Sequence, residues 1–136
     1  MKELTYAVVC VDDDPMILQV LAFQLNKIID TQSVLIEFYT NPNDALDDID
    51  ALISDNIDIM FVLVDYQMPE MTGVELIRKI KGKYPKINCL MLSGQANAVQ
   101  LSDLQTDNLL EEFIEKPWSE LQLRNAIAKL TKTLVN

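Results

Sequence analysis

Two rhythms of apolar and polar positions alternate along the 136 residues. Runs rich in β-branched and aromatic residues recur at 6–11, 34–39, 59–65, 87–92 and 111–115, the last centred on Phe113 and Ile114. Runs of this length bounded by turn residues predict buried strands. Between them, apolar residues return at spacings of three and four. Ile17, Leu21, Leu25 and Ile28 form one stripe. Ala45, Leu46, Ile49, Leu52 and Ile53 form the next, and Val74, Ile77 and Ile80 a third. Ala98, Val99, Leu101 and Leu104 suggest a weaker helix, and Leu123, Ile127, Leu130 and Leu134 a final one. Five strands alternating with five helices predict βαβ units and an α/β fold with a parallel sheet. The run from Ile59 to Val64 is the most apolar and ends directly in Asp65. A strand apolar on both faces belongs to a sheet covered by helices on both sides.

Local signals agree with these boundaries. Asp14-Pro15 and Asn41-Pro42 each read as a helix cap followed by proline in the first turn. Ser119, with Gln122 three residues on, is a capping-box pattern. Pro69 and Gly73 punctuate the loop after Asp65. Arg78, Lys79, Lys81 and Lys83 crowd the end of the third helix, where cations suit the dipole. Asp44, Asp47, Asp48 and Asp50 read as a solvated face. No repeat, linker or low-complexity tract divides the chain, so residues 1–136 read as one domain.

The net charge of −10 argues against binding nucleic acid or an anionic membrane, and is compatible with a bound cation. The chain has no histidine, which removes Ser-His-Asp and Cys-His catalysis and most zinc sites. Cys10 and Cys89 lie inside apolar runs and read as buried free thiols of a reducing compartment. Residues 1–5 lead directly into the first strand, so no signal peptide is expected, and no apolar run approaches the ~18 residues a membrane span needs. A cytoplasmic location is the expectation.

In a parallel sheet all carboxyl ends share one edge, where such folds bind ligands. That edge would collect Asp12, Asp13 and Asp14 from the first strand, Asp65 from the third, Ser93 from the fourth and Lys116 from the fifth. Converging carboxylates repel unless a cation joins them. Hard oxygen donors without His or Cys select Mg²⁺, Mn²⁺ or Ca²⁺. A metal, an ammonium and a hydroxyl can together satisfy the three oxygens of a phosphoryl group. A central carboxylate can then act as nucleophile and carry that group as an acyl phosphate.

The ordered set Val11-Asp12-Asp13-Asp14-Pro15, Val64-Asp65-Tyr66-Gln67-Met68-Pro69 with Gly73, Leu92-Ser93-Gly94 and Glu115-Lys116-Pro117 resembles the receiver domain of two-component response regulators. The likeness covers essentially the whole chain. It implies a doubly wound five-stranded sheet of order 2-1-3-4-5 with five helices, the flavodoxin-like receiver fold. It implies Asp65 as phospho-acceptor, Asp13 as direct ligand of Mg²⁺ (Mn²⁺ as alternative), Asp12 as a ligand through water, and the Gln67 backbone carbonyl as a further ligand. Lys116 would pair with the phosphoryl group, and Pro117 would follow a cis peptide bond. Ser93 and Phe113 would be the switch pair. Gln67 and Gln95 would flank the water that hydrolyses the acyl phosphate. Trp118 stands where the family more often has Phe, for packing or partner docking.

The implied partners are a sensor histidine kinase or histidine phosphotransfer protein and an output domain or downstream protein. They would be served by a monomer or a phosphorylation-induced dimer, switching through the surface of the fourth helix, fifth strand and fifth helix. Such a chain is a signalling switch rather than a turnover enzyme. The same fold can also serve as a phosphorylation-independent interaction module. Asp12-x-Asp14 alone would suit a small phosphohydrolase with its nucleophile on the first strand, a reading that Pro15 and the short chain disfavour. Asp14 by itself suits a helix cap.

Overall fold

A computed structural model of the chain describes residues 5–94, 107–131 and 135. The elements are β1 (Tyr6–Val11), α1 (Pro15–Ile28), β2 (Val34–Tyr39), α2 (Pro42–Ser54), β3 (Asp58–Asp65), α3 (Gly73–Lys83), β4 (Cys89–Ser93), β5 (Glu112–Glu115) and a C-terminal helix (Glu120–Leu130). All strand pairs are parallel, in the order β2-β1-β3-β4-β5. The expected helix over 98–104, together with Gln95 and Leu134, lies outside the described residues. No helix among the described residues is long and apolar enough to cross a membrane.

Strand side chains alternate between two cores. Ala7, Val9, Val11, Val62, Val64, Cys89 and Met91 face α2 and α3. Val8, Cys10, Phe61, Leu63, Leu90, Leu92 and Ile114 face α1 and the C-terminal helix. The two cysteines therefore sit on opposite sides of the sheet, both free and buried. Burial pushes both thiols up, Cys89 to about 12, so neither is a ready nucleophile.

The helix caps form as their residues dictate. Asp14 accepts from the Met16 N–H at 2.9 Å, and Asn41 from the Asn43 N–H at 2.8 Å. Ser119 and Gln122 complete the reciprocal capping box. Two inward faces are rotated from the expected stripes: Leu18 rather than Ile17 is buried on α1, and Leu76 joins Ile77 and Ile80 on α3.

Two charged groups make contacts that the local pattern does not predict. Lys81 turns inward, its side chain 5% exposed, and pairs with Glu111. Asp50 accepts from the Lys83 ammonium at 2.9 Å and from the Tyr84 hydroxyl, so it ties α2 to the end of α3 rather than only facing solvent.

Candidate functional site

The carboxyl ends of β1, β3, β4 and β5 converge at one edge. Asp12 follows β1, its N–H donating to the Tyr39 carbonyl at 3.1 Å. Its carboxylate accepts from the Asp14 N–H at 2.9 Å. Asp65 ends β3 opposite Leu92, and the Tyr66 N–H donates to the Leu92 carbonyl at 3.2 Å. Ser93 ends β4 and is buried, and its carbonyl accepts from the Lys116 N–H at 3.0 Å. The sequence neighbours Asp12 and Asp13 thus differ: Asp12 is buried, as Asp65 is, while Asp13 is exposed.

Lys116 closes the cluster. Its ammonium donates to Asp65 Oδ1 at 2.9 Å and to Asp12 Oδ2 at 3.1 Å, joining residues 51 and 104 positions apart in the chain. Burial pushes the carboxyls of Asp12 and Asp65 up, against the lowering influence of Lys116. Burial works against the Lys116 ammonium too, but the Asp65 hydrogen bond and the Asp12 charge outweigh it, and its pKa is raised. The Lys116–Pro117 peptide is cis.

Carboxylate oxygens of Asp12, Asp13 and Asp65 lie within 4.8 Å of one another. Three carboxylates against one ammonium leave an excess of negative charge open to solvent through Asp13. This donor set fits a small hard cation such as Mg²⁺, which takes one or two carboxylates and keeps several waters. Asp14 is absent from the cluster and acts as the cap of α1, the plain reading of its sequence.

The loop after β3 is drawn tight against the site. The Gly73 N–H donates to the Tyr66 carbonyl at 2.7 Å. A Cβ on Gly73 would stand 2.4 Å from the Asp65 carbonyl oxygen, so only glycine admits this approach. Thr72 caps α3 by accepting from the Glu75 N–H at 3.1 Å. Thr72-x-x-Glu75 carries the capping-box spacing, a signal available in the sequence beside the glycine. Gln67 is exposed in this loop. Phe113 is half-buried, packs on the α2–α3 side and lies opposite Met91. Trp118 is half-buried, and its indole N–H donates to Gln24 of α1 at 2.7 Å.

The profile of the response regulator receiver domain family matches residues 8–128. Hybrid signal transduction histidine kinase L of Dictyostelium discoideum is 28% identical over 135 residues, which are 96% of this chain and 8% of that protein. Transcriptional regulatory protein FlgR of Helicobacter pylori is 30% identical over 71% of this chain and 23% of its own length. The chain spans under a quarter of either relative. The crystal structure of a CheY-like response regulator receiver domain protein from Methanospirillum hungatei superposes with a TM-score of 0.74 at 25% identity, covering 92% of this chain and 93% of that one.

Proposed function

The chain belongs to the response regulator receiver domain family, and from that premise we propose that it is a phosphorylation switch with Asp65 as acceptor. The observation that carries this reading is the shared ammonium of Lys116, held between Asp65 and Asp12 with Asp13 alongside. Asp65 attacks the phosphorus of a phosphohistidine on a sensor histidine kinase or histidine phosphotransfer protein. A P–O bond forms to Asp65, the P–N bond breaks, and the electron pair leaves with the donor's imidazole. Lys116 lies where it can pair with the transferred oxygens, and the Ser93 hydroxyl is the small donor at the neighbouring strand end.

Asp13 and Asp65, the Gln67 carbonyl, and Asp12 through water would hold Mg²⁺. When bound, it supplies positive charge toward the phosphoryl oxygens. Ser93 and Phe113 then pass the change to the surface of β5 and the C-terminal helix and so to an output domain or partner. The chain acts as a switch, not a turnover enzyme. Incubated with acetyl phosphate and Mg²⁺, the wild-type chain is expected to gain one phosphoryl group by intact mass, and none when EDTA replaces the metal. Failure both to gain it and to bind beryllofluoride with Mg²⁺ present would leave the phosphorylation-independent module as the reading.

The face beside the site supports a protein donor. Met16, Val20 and Phe23 recur at helical spacing on the outside of α1 and are 71%, 46% and 64% exposed. Ile17, Val20, Pro117, Trp118 and Lys116 line a notch of about 360 Å³ next to this stripe. A second apolar face on a helix whose first face is already buried suits docking of a helical partner. Phe23→Asp is expected to slow transfer from a phosphohistidine donor protein by about tenfold or more. Acetyl phosphate, which needs no docking face, should phosphorylate this variant at the wild-type rate. Equal slowing with both donors would reject the docking role.

A further inference from the structure

Lys116 reaches the acceptor from the end of a short edge strand, so its place depends on the register of that strand. β5 has four residues, stands at the sheet edge beside β4, and buries only Ile114 of its side chains. Apolar contact is non-directional and tolerates sliding. A slip of one residue would carry Lys116 about 3.3 Å and turn it to the other face. Its 2.9 and 3.1 Å contacts to Asp65 and Asp12 would not survive this.

The opposite end of the strand carries a directional device. The Glu111 N–H donates to the Cys89 carbonyl at 3.0 Å. The Glu111 carboxylate accepts from the Cys89 N–H at 2.6 Å through one oxygen and from the Lys81 ammonium through the other. Lys81 comes from α3 with its side chain 5% exposed, and the Glu111 side chain is 23% exposed. One side chain thus ties the first residue before β5 both to the first residue of β4 and to a helix on the sheet face. A half-buried pair of this kind is a weak source of stability, but its contacts to Cys89 and Lys81 fit this register and a slip of one residue breaks them.

We propose that the Glu111–Lys81 pair is a positioning clamp that sets the register of β5 on β4 and thereby holds Lys116 against Asp65 and Asp12. The clamp acts from about 17 Å along the strand, five residues at ~3.3 Å each. It touches neither the phosphoryl group nor the metal-ligating carboxylates. It deepens the reading of Asp65 as acceptor and rests on it.

The test replaces both partners with apolar residues of similar size, Lys81→Met with Glu111→Leu, so that no buried charge is left alone. The double variant is expected to unfold cooperatively and to bind Mg²⁺ at least as tightly as the wild type by isothermal titration, since Asp12, Asp13 and Asp65 lie on other strands and lose only the competing ammonium of Lys116. Its phosphorylation by saturating acetyl phosphate should fall about tenfold or more. Amide exchange at Lys116 should speed up. Glu111→Gln, which keeps the shape, should shift both readouts in the same direction by less.

A double variant phosphorylated at the wild-type rate would overturn the clamp. So would a loss of rate matched by an equal loss of Mg²⁺ affinity or of cooperative unfolding, which would mark the pair as merely structural. If the wild type itself neither takes a phosphoryl group nor binds beryllofluoride, the acceptor reading fails separately, and exchange at Lys116 decides the clamp alone. Faster exchange in the variant would then support it, and unchanged exchange would reject it.

Discussion

Asp65→Asn is expected to abolish phosphoryl acceptance while making the metal-free protein more stable. Loss of acceptance follows because an amide is not a nucleophile toward phosphorus and, among the described residues, no second carboxylate combines the place of Asp65 with its ammonium contact. Asp12 shares Lys116 but is 1% exposed and already accepts the Asp14 N–H. Intact mass after acetyl phosphate treatment should show one phosphoryl group on the wild type and none on the variant. A group retained on the variant would move the acceptor elsewhere, and retention at Asp12 would favour the phosphohydrolase-like arrangement.

The gain in stability follows from the charge balance. Asp12, Asp13 and Asp65 face a single ammonium, and burial raises the carboxyls of Asp12 and Asp65. A carboxyl that titrates higher in the folded than in the unfolded chain binds more protons when folded. Its contribution to stability therefore falls as pH rises from its ordinary range through the raised folded value. At neutral pH Asp65→Asn removes one of the crowded charges and leaves Lys116 paired with Asp12. Relief of like-charge repulsion at this separation, less the lost contact to Lys116, gives an expected gain of about 1–2 kcal/mol, or roughly 4–8 °C in Tm for a chain of this size. The difference between variant and wild type should shrink as the pH is lowered and Asp65 takes up its proton. Adding Mg²⁺ should narrow it too, because the cation stabilises the wild type more than a variant lacking one ligand. Thermal unfolding from acid to neutral pH, with and without Mg²⁺, checks all of this. A gap that widens toward low pH would contradict the charge argument.

Gly73→Ala carries the second large effect. Helix propensity alone favours alanine, by less than the ~1 kcal/mol of a helix interior, because Gly73 is only the first residue of α3. Packing opposes this. The new Cβ would meet the Asp65 carbonyl oxygen at 2.4 Å, and the next nearest atoms, at 3.1 Å, are also backbone. No flexible side chain can yield, so either the loop lifts from β3 or Asp65 shifts. Overpacking of this kind costs about 3 kcal/mol, which exceeds the propensity gain. The net result should be a lower Tm by roughly 8 °C. Phosphorylation should slow as well, since the displaced residues include the acceptor. Thermal unfolding together with the acetyl phosphate rate tests this, and an unchanged Tm would mean that the loop absorbs the methyl without moving Asp65.

Much of this protein is legible before any coordinates. Periodicity and punctuation locate β1, β2, α1 and α2, because short runs bounded by Asp-Pro or Asn-Pro admit few other structures. The strand-end residues Asp12, Asp13, Asp65, Ser93 and Lys116 are also legible, because parallel topology places every carboxyl end on one edge. Other roles are not legible from local pattern alone. Lys81 belongs by composition to a basic helix end, and its inward turn depends on Glu111, thirty residues on. Asp50 belongs by pattern to a wet acidic face, and its role depends on Lys83 and Tyr84. Gly73 punctuates a loop in sequence, but its necessity comes from the backbone of Asp65.

The sequence by itself determined the alternation of strands and helices, the caps, and the types of residue gathered at the strand ends, since each follows from periodicity or short-range hydrogen bonding. Only the tertiary structure decided how those residues are employed. It divided three consecutive aspartates into a buried partner of Lys116, an exposed carboxylate at the cation site and a helix cap, because the backbone after β1 turns each in a different direction. It also placed an ion pair at the far end of β5, where the register of an edge strand is set by contacts between residues distant in the chain.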